Sequence, residues 1–148
     1  MSRTTARAAA MQMIFEKISG GQGGEETLKM VYDELRENGI PGERTIGKKE
    51  PDEEDRAFIA DIFNGVLEHL EELDDIIGKT AKGWSLDRMS LVDLTILRLA
   101  VWEILYKPDI PANVSVAEAL ELTEQYSDPG DKPFVNGILG TIVREQNV

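Results

Sequence analysis

Apolar residues recur at a helical period along most of the chain, and no segment alternates apolar and polar positions for the length of a strand. Ala6, Ala10, Met13, Ile14 and Ile18 form one stripe, which predicts a first helix from about Arg3 to Ile18. Ser19-Gly20-Gly21-Gln22-Gly23-Gly24 stops it. This cluster follows a helix rather than a strand and has no lysine, so it predicts a flexible connector over residues 19–24 and not a phosphate-binding loop. Leu28, Val31, Tyr32 and Leu35 predict a second helix from about Glu25 to Asn38, with Gly39 as its stop. Residues 39–51 hold three glycines, two prolines and Lys48-Lys49, and predict an exposed loop.

A long third helix is predicted from about Glu53 to Gly78, with Asp52 as N-cap and Phe58, Ile59, Ile62, Phe63, Val66, Leu70, Leu73 and Ile77 in helical register. Gly65 interrupts it at about 1 kcal/mol relative to alanine, a choice that a close helix crossing would explain. Trp84 to Met89 predicts a short helical turn. Ser90 then caps a helix from about Leu91 to Tyr106, with Asp93 completing a shortened capping box. That helix is apolar on nearly every side and too short for a bilayer, which marks it as a central core element. After Pro108 and Pro111, Ser115 and Glu118 predict a capping box for a helix reaching about Tyr126. Ser127 to Pro133 predicts a turn, and a last helix starts at Phe134. The expected architecture is all-α: a single domain, residues 1–148, of about six to seven helices around a buried central helix.

The chain has 148 residues, enough for a core without covalent staples, and it has no cysteine. Thiol catalysis, thiolate metal sites and disulfides are therefore excluded, and a reducing, cytoplasmic location is expected. No apolar stretch approaches a membrane span, and the N-terminus lacks the apolar core of a signal peptide. The net charge of −12 argues against indiscriminate nucleic-acid binding. Charge is unevenly placed: eleven acids lie between Glu50 and Asp75 against Arg56 alone, whereas the first eighteen residues carry Arg3, Arg7 and Lys17 against Glu16. The acidic run fits the solvated face of a helix, and also a docking face for a basic partner.

Reagents for catalysis are scarce. His69 is the only histidine, and no Glu-x-x-His ligand pair, nucleophile elbow or Walker sequence is present. Neither an enzyme nor a metal or cofactor site is expected.

The last third carries a more specific signal. Ile96-Leu97-Arg98-Leu99-Ala100-Val101-Trp102-Glu103-Ile104-Leu105 is followed by Asp109-Ile110-Pro111, then Val114-Ser115-Val116-Ala117-Glu118-Ala119, then Phe134-Val135-Asn136-Gly137-Ile138-Leu139. In order and spacing these runs resemble the NusB family of bacterial transcription antitermination factors, strongly from Phe58 to Leu139 and faintly at the N-terminus. The resemblance implies a small all-helical protein that binds boxA-type single-stranded RNA together with the ribosomal protein NusE. It would support ribosomal RNA transcription as part of the elongation complex. On the family pattern, Arg3 and Arg7, one turn apart, match RNA-contacting arginines, and Phe15 matches an aromatic near RNA. An aromatic there stacks on a base if exposed, or joins the core beside Ile14 if buried. Phe134, Asn136 and Gly137 match the family's Phe-Val-Asn-Gly, at a helix start whose free N–H groups suit phosphate, with Lys132 beside it. The alternative for Asn136 is to hold the preceding turn, and for Gly137 to admit a neighbouring helix. Asp93 matches a position where the family contacts NusE, while Arg98 fits an internal structural pair.

The chain departs from the family at the N-terminus, where Thr4, Thr5, Ala6 and Ala8 stand in place of a dense arginine cluster. Three function classes follow: an antitermination factor acting with NusE, a protein-interaction module of the same fold with little RNA binding of its own, and a partner in RNA methylation. NusB-like domains also occur fused to ribosomal-RNA methyltransferases, but this length leaves no room for the catalytic domain.

Overall fold

The computed structural model describes residues 1–38, 51–81 and 89–146. The expected loop over residues 39–50 and the helical turn over residues 84–88 lie outside the described residues. Among the described residues every regular element is helical: α1 Arg3–Ile18, α2 Glu25–Asn38, α3 Glu53–Glu68, α4 Leu70–Thr80, α5 Leu91–Tyr106, α6 Ala112–Tyr126 and α7 Lys132–Glu145. A 3-10 turn, Pro129–Asp131, leads into α7. The all-α expectation holds. The chain divides into two compact units, Met1–Asn64 and Gly65–Val148.

In the first unit α1 packs along α2. Ala6, Ala8, Ala9 and Ala10 are all fully buried, so α1 is covered on more sides than one stripe requires. Small side chains allow this, because they let neighbouring backbone approach closely. Ser2 caps the helix by accepting a hydrogen bond from the Thr5 amide at 3.0 Å. The expected flexible connector begins as a glycine-built helix stop. Gly21 N–H donates to the Glu16 carbonyl at 2.8 Å and Gly20 N–H to Lys17 at 3.2 Å, with Gly20 at φ +101°. Gly23, at φ +62°, passes so close to α1 that a Cβ there would lie 2.8 Å from the Met13 carbonyl oxygen.

In the second unit α5 is the core helix, buried from Asp93 to Ile104 and packed against α4, α6 and α7. Trp102 lies across Gly65, where a Cβ would fall 2.3 Å from the indole, so the glycine admits a close crossing as its position in the sequence suggested.

Three boundaries differ from the periodicity. The long third helix breaks at His69 into α3 and α4. The His69 ring nitrogen Nδ1 lies 2.8 Å from the Gly65 carbonyl, the acceptor that the His69 amide would use in a continuous helix. A carbonyl only accepts, so Nδ1 carries the proton and donates. The displaced amide donates to Val66 instead, at 3.2 Å. Ser115 does not cap α6, which starts at Ala112 after Pro111. Its hydroxyl is taken up in the interior, donating to Glu103 Oε1 at 2.7 Å. Finally, α7 starts at Lys132 rather than Phe134, because Pro133 is tolerated in a first turn where its missing N–H has no partner to lose.

Candidate nucleic-acid interface

The residues singled out for RNA fall into one group in each unit, and each group is built by a different helix start. In the first unit Arg3 and Arg7 lie on successive turns of α1, and both guanidinium carbons sit over the Phe58 ring of α3, at 4.3 and 5.5 Å from its centroid. Such stacking holds a guanidinium flat without neutralising it. The two arginines nevertheless differ. The Arg3 side chain is 42% exposed, while Arg7 is only 4% exposed and belongs to the interior. Phe15, two turns beyond Arg7, is half-buried.

Acids face Arg3. Its Nη2 donates to Glu54 Oε1 at 3.3 Å, and Nη1 lies 3.7 Å from Asp55 Oδ1. Asp55 is held there by a reciprocal cap at the start of α3. The Asp55 amide donates to Asp52 Oδ1 at 2.9 Å and the Asp52 amide donates to Asp55 Oδ2 at 3.0 Å. The Asp55 amide, by donating to it, keeps the Asp52 carboxyl below the usual carboxylate value. The expected N-cap role of Asp52 is therefore borne out.

In the second unit, Val135, Ile138, Leu139 and Ile142 turn inward from α7. That places Asn136 and Gly137 on the exposed side, with Phe134 half-buried. No atom lies within 4 Å of where a Gly137 side chain would begin, so this glycine is not needed for helix packing. The helix has no side-chain cap at Asp131. The Lys132 N–H donates to the Pro129 carbonyl and Pro133 has no N–H, so the free amides expected at this helix start are fewer than the sequence suggested. What it offers an anion is chiefly its partial positive charge. Lys132, the cation beside them, is ion-paired with Glu124 of α6.

Asp93 stands behind the turn that leads into α7. It is 4% exposed. The Ser127 hydroxyl donates to its Oδ1 at 2.6 Å. A hydrogen bond with Asp93, reinforced by burial and like charge, holds the Asp131 carboxyl above the usual value. The carboxylate of Asp93 thus ties the first turn of α5 to the chain entering α7. As expected, Arg98 is an internal pair, with Asp74 of α4.

The model of the NusB family matches residues 4–144. The chain belongs to the NusB family. A transcription antitermination protein NusB from Acetivibrio thermocellus is 37% identical over 144 residues, covering 97% of this chain and 90% of that protein. The solved structure of T. maritima NusB is 31% identical and covers 98% of this chain and 92% of its own, with a TM-score of 0.77. A crystal structure of the antitermination factors NusB and NusE in complex with dsRNA shares the fold. Its TM-score is 0.73 at 24% identity, covering 97% of this chain and 96% of that one.

The NusB match takes in every candidate residue except Arg3, which stands one position before it. Periodicity places Phe58 among the apolar positions and the acidic run takes in Glu54 and Asp55, but neither gives them a role beside the arginines, because each has the character its face predicts. The signal that does exist is the Asp52–Asp55 spacing, which is that of a capping box. Elsewhere, the Tyr106 hydroxyl donates to Glu72, which raises its pKa, and the Tyr106 ring lies 4.4 Å from that of His69. Among the described residues, no group of three or more His, Asp or Glu side chains is placed to hold a metal ion. No described helix is long and apolar enough to cross a membrane.

Proposed function

We propose that this NusB-family chain is a non-catalytic, cytoplasmic transcription antitermination factor that binds boxA-type single-stranded RNA together with NusE, within the elongation complex that transcribes ribosomal RNA. The observation that carries this is the family match over residues 4–144, with a curated antitermination protein 37% identical across nearly the whole chain. The exposed Asn136 and Gly137 of α7, with open space beside Gly137, support a surface that RNA approaches closely. On this reading Arg3 and the positive end of α7 meet phosphate, Lys132 adds charge, and Phe15, Phe134 and Asn136 meet bases or sugars. Arg7 positions the arm through Phe58. Asp93 serves the NusE face by fixing the turn before α7, since its own carboxylate is engaged inside.

A second reading, an interaction module with little RNA binding of its own, is favoured by one observation: Arg3 and Lys132 are ion-paired to acids, and Arg7 is buried. Fluorescence anisotropy with boxA RNA and a scrambled strand, with and without NusE, separates the two. Antitermination requires that NusE tighten binding and that the complex prefer boxA. Equal, weak binding to both strands in the presence of NusE would leave the interaction module.

A further inference from the structure

We infer that Glu54 acts as an intramolecular competitor for Arg3, holding RNA binding by the chain alone weak and so making it dependent on a partner. The inference rests on the proposed RNA role of Arg3. All of its parts lie in the first unit.

The contact has a movable and a fixed component. The Glu54 side chain is 82% exposed and reaches Arg3 at 3.3 Å, so an arriving phosphate displaces it without disturbing the fold. Asp55 is buried and locked by its reciprocal bonds with Asp52, and its carboxylate stays 3.7 Å from Arg3 whatever Glu54 does. Phe58 fixes the third side by lying under the guanidinium. Asp55 also pairs with the Met1 ammonium, at 3.6 Å, so it answers Arg3 only in part; Glu54 supplies the rest, and a phosphate gains only the difference between itself and Glu54. A dense arginine arm would overwhelm such a competitor. Here the first turns of α1 carry only Arg3 and Arg7, and Arg7 is buried.

The contact also predicts a salt signature. Raising salt weakens the internal pair along with the RNA contact, so the competitor makes the salt dependence of wild type shallower than that of a chain lacking it.

The test is anisotropy titration of the full-length chain with boxA RNA and a scrambled strand over a series of salt concentrations. Glu54→Gln should bind both strands about two- to fivefold more tightly than wild type at low salt, the range expected for one exposed ion pair. Its salt slope should steepen by up to about 0.7, the share of one single-strand phosphate contact. Glu53→Gln removes the same charge from the same turn and should give a smaller gain. In an Arg3→Ala background, Glu54→Gln should give none. An equal gain from Glu53→Gln, or a gain that survives Arg3→Ala, would reduce the effect to bulk charge and overturn the inference. RNA binding that ignores Glu54→Gln would overturn it while leaving the proposed function intact. Failure of wild type to bind boxA even with NusE would instead remove the proposed function, and this inference with it.

Discussion

Arg98 on α5 and Asp74 on α4 meet through two parallel hydrogen bonds, Nε to Oδ1 at 2.7 Å and Nη2 to Oδ2 at 2.9 Å. This fork geometry belongs to arginine alone and fixes the angle between the two side chains as well as their distance. Asp74→Ala leaves the guanidinium in the core helix without its carboxylate. The expected loss is about 3 kcal/mol, the low end for a buried pair because Asp74 itself is 30% exposed. Urea unfolding measures it, and a loss under about 1 kcal/mol would mean that water replaces Asp74.

Gly65→Ala should be far more damaging than an alanine is in an ordinary helix, where it stabilises. The added methyl would lie 2.3–2.4 Å from three atoms of the Trp102 indole, so the ring or α3 must move. Overpacking of this kind costs about 1–3 kcal/mol, and the shift should appear in the emission of Trp102. An unchanged spectrum with raised stability would contradict the crossing.

Asp131 should make the fold less stable as pH rises. Its folded pKa is raised above 3.8, so the folded state holds a proton that the unfolded chain has released. The stabilising proton is fully present below the ordinary value and is lost as pH climbs through the raised one. Asp131→Asn should therefore exceed wild type in stability at pH 7, with the gap closing on acidification. A gap that does not vary with pH would show that the Asp131 carboxyl is not held above its ordinary value by its neighbours.

Gly137 separates fold from function. Its surroundings are open, so Gly137→Ala should stabilise α7 by about 1 kcal/mol through helix propensity. Gly137→Leu should also fold, yet weaken binding of boxA RNA by the complex with NusE. Full RNA affinity in the leucine variant would move the RNA surface off this turn.

The two N-terminal arginines should behave differently in unfolding experiments. Arg7→Ala removes a buried side chain and its stacking on Phe58 and should cost about 1–2 kcal/mol. Arg3→Ala, at the exposed end, should stay within about 0.5 kcal/mol of wild type. Equal losses would mean that Arg3 is as structural as Arg7.

Most helices were legible because their apolar periods are long and their stops are glycine or proline. α1, α2 and α5 begin and end at the positions that patterning gives. Two of the three misplacements arise where one side chain displaced the local rule, the third where Pro133 was taken into a first turn. The His69 ring took a carbonyl from its own backbone, and Ser115, spaced to be a cap, found a buried acid on another helix instead. Periodicity cannot register either event, because both depend on which atom a side chain reaches. The candidate site was legible as residue types on helix starts. That Arg3 and Lys132 would be answered by acids of the same chain was not, since an acidic run reads as solvated surface until a partner is seen opposite it.

The bond between Ser115 and Glu103 has a consequence for how α6 sits on α5. Apolar faces alone tolerate several offsets, because sliding one helix by a turn exchanges one set of aliphatic neighbours for another of similar area. Such a slide would carry Ser115 about 5.4 Å from its acceptor and strip that donor from a carboxylate that is 1% exposed. A carboxyl oxygen buried so deeply is costly to leave less well satisfied. The pair therefore works as a register pin: it adds little to how tightly the helices adhere and much to which of the near-equivalent alignments they adopt.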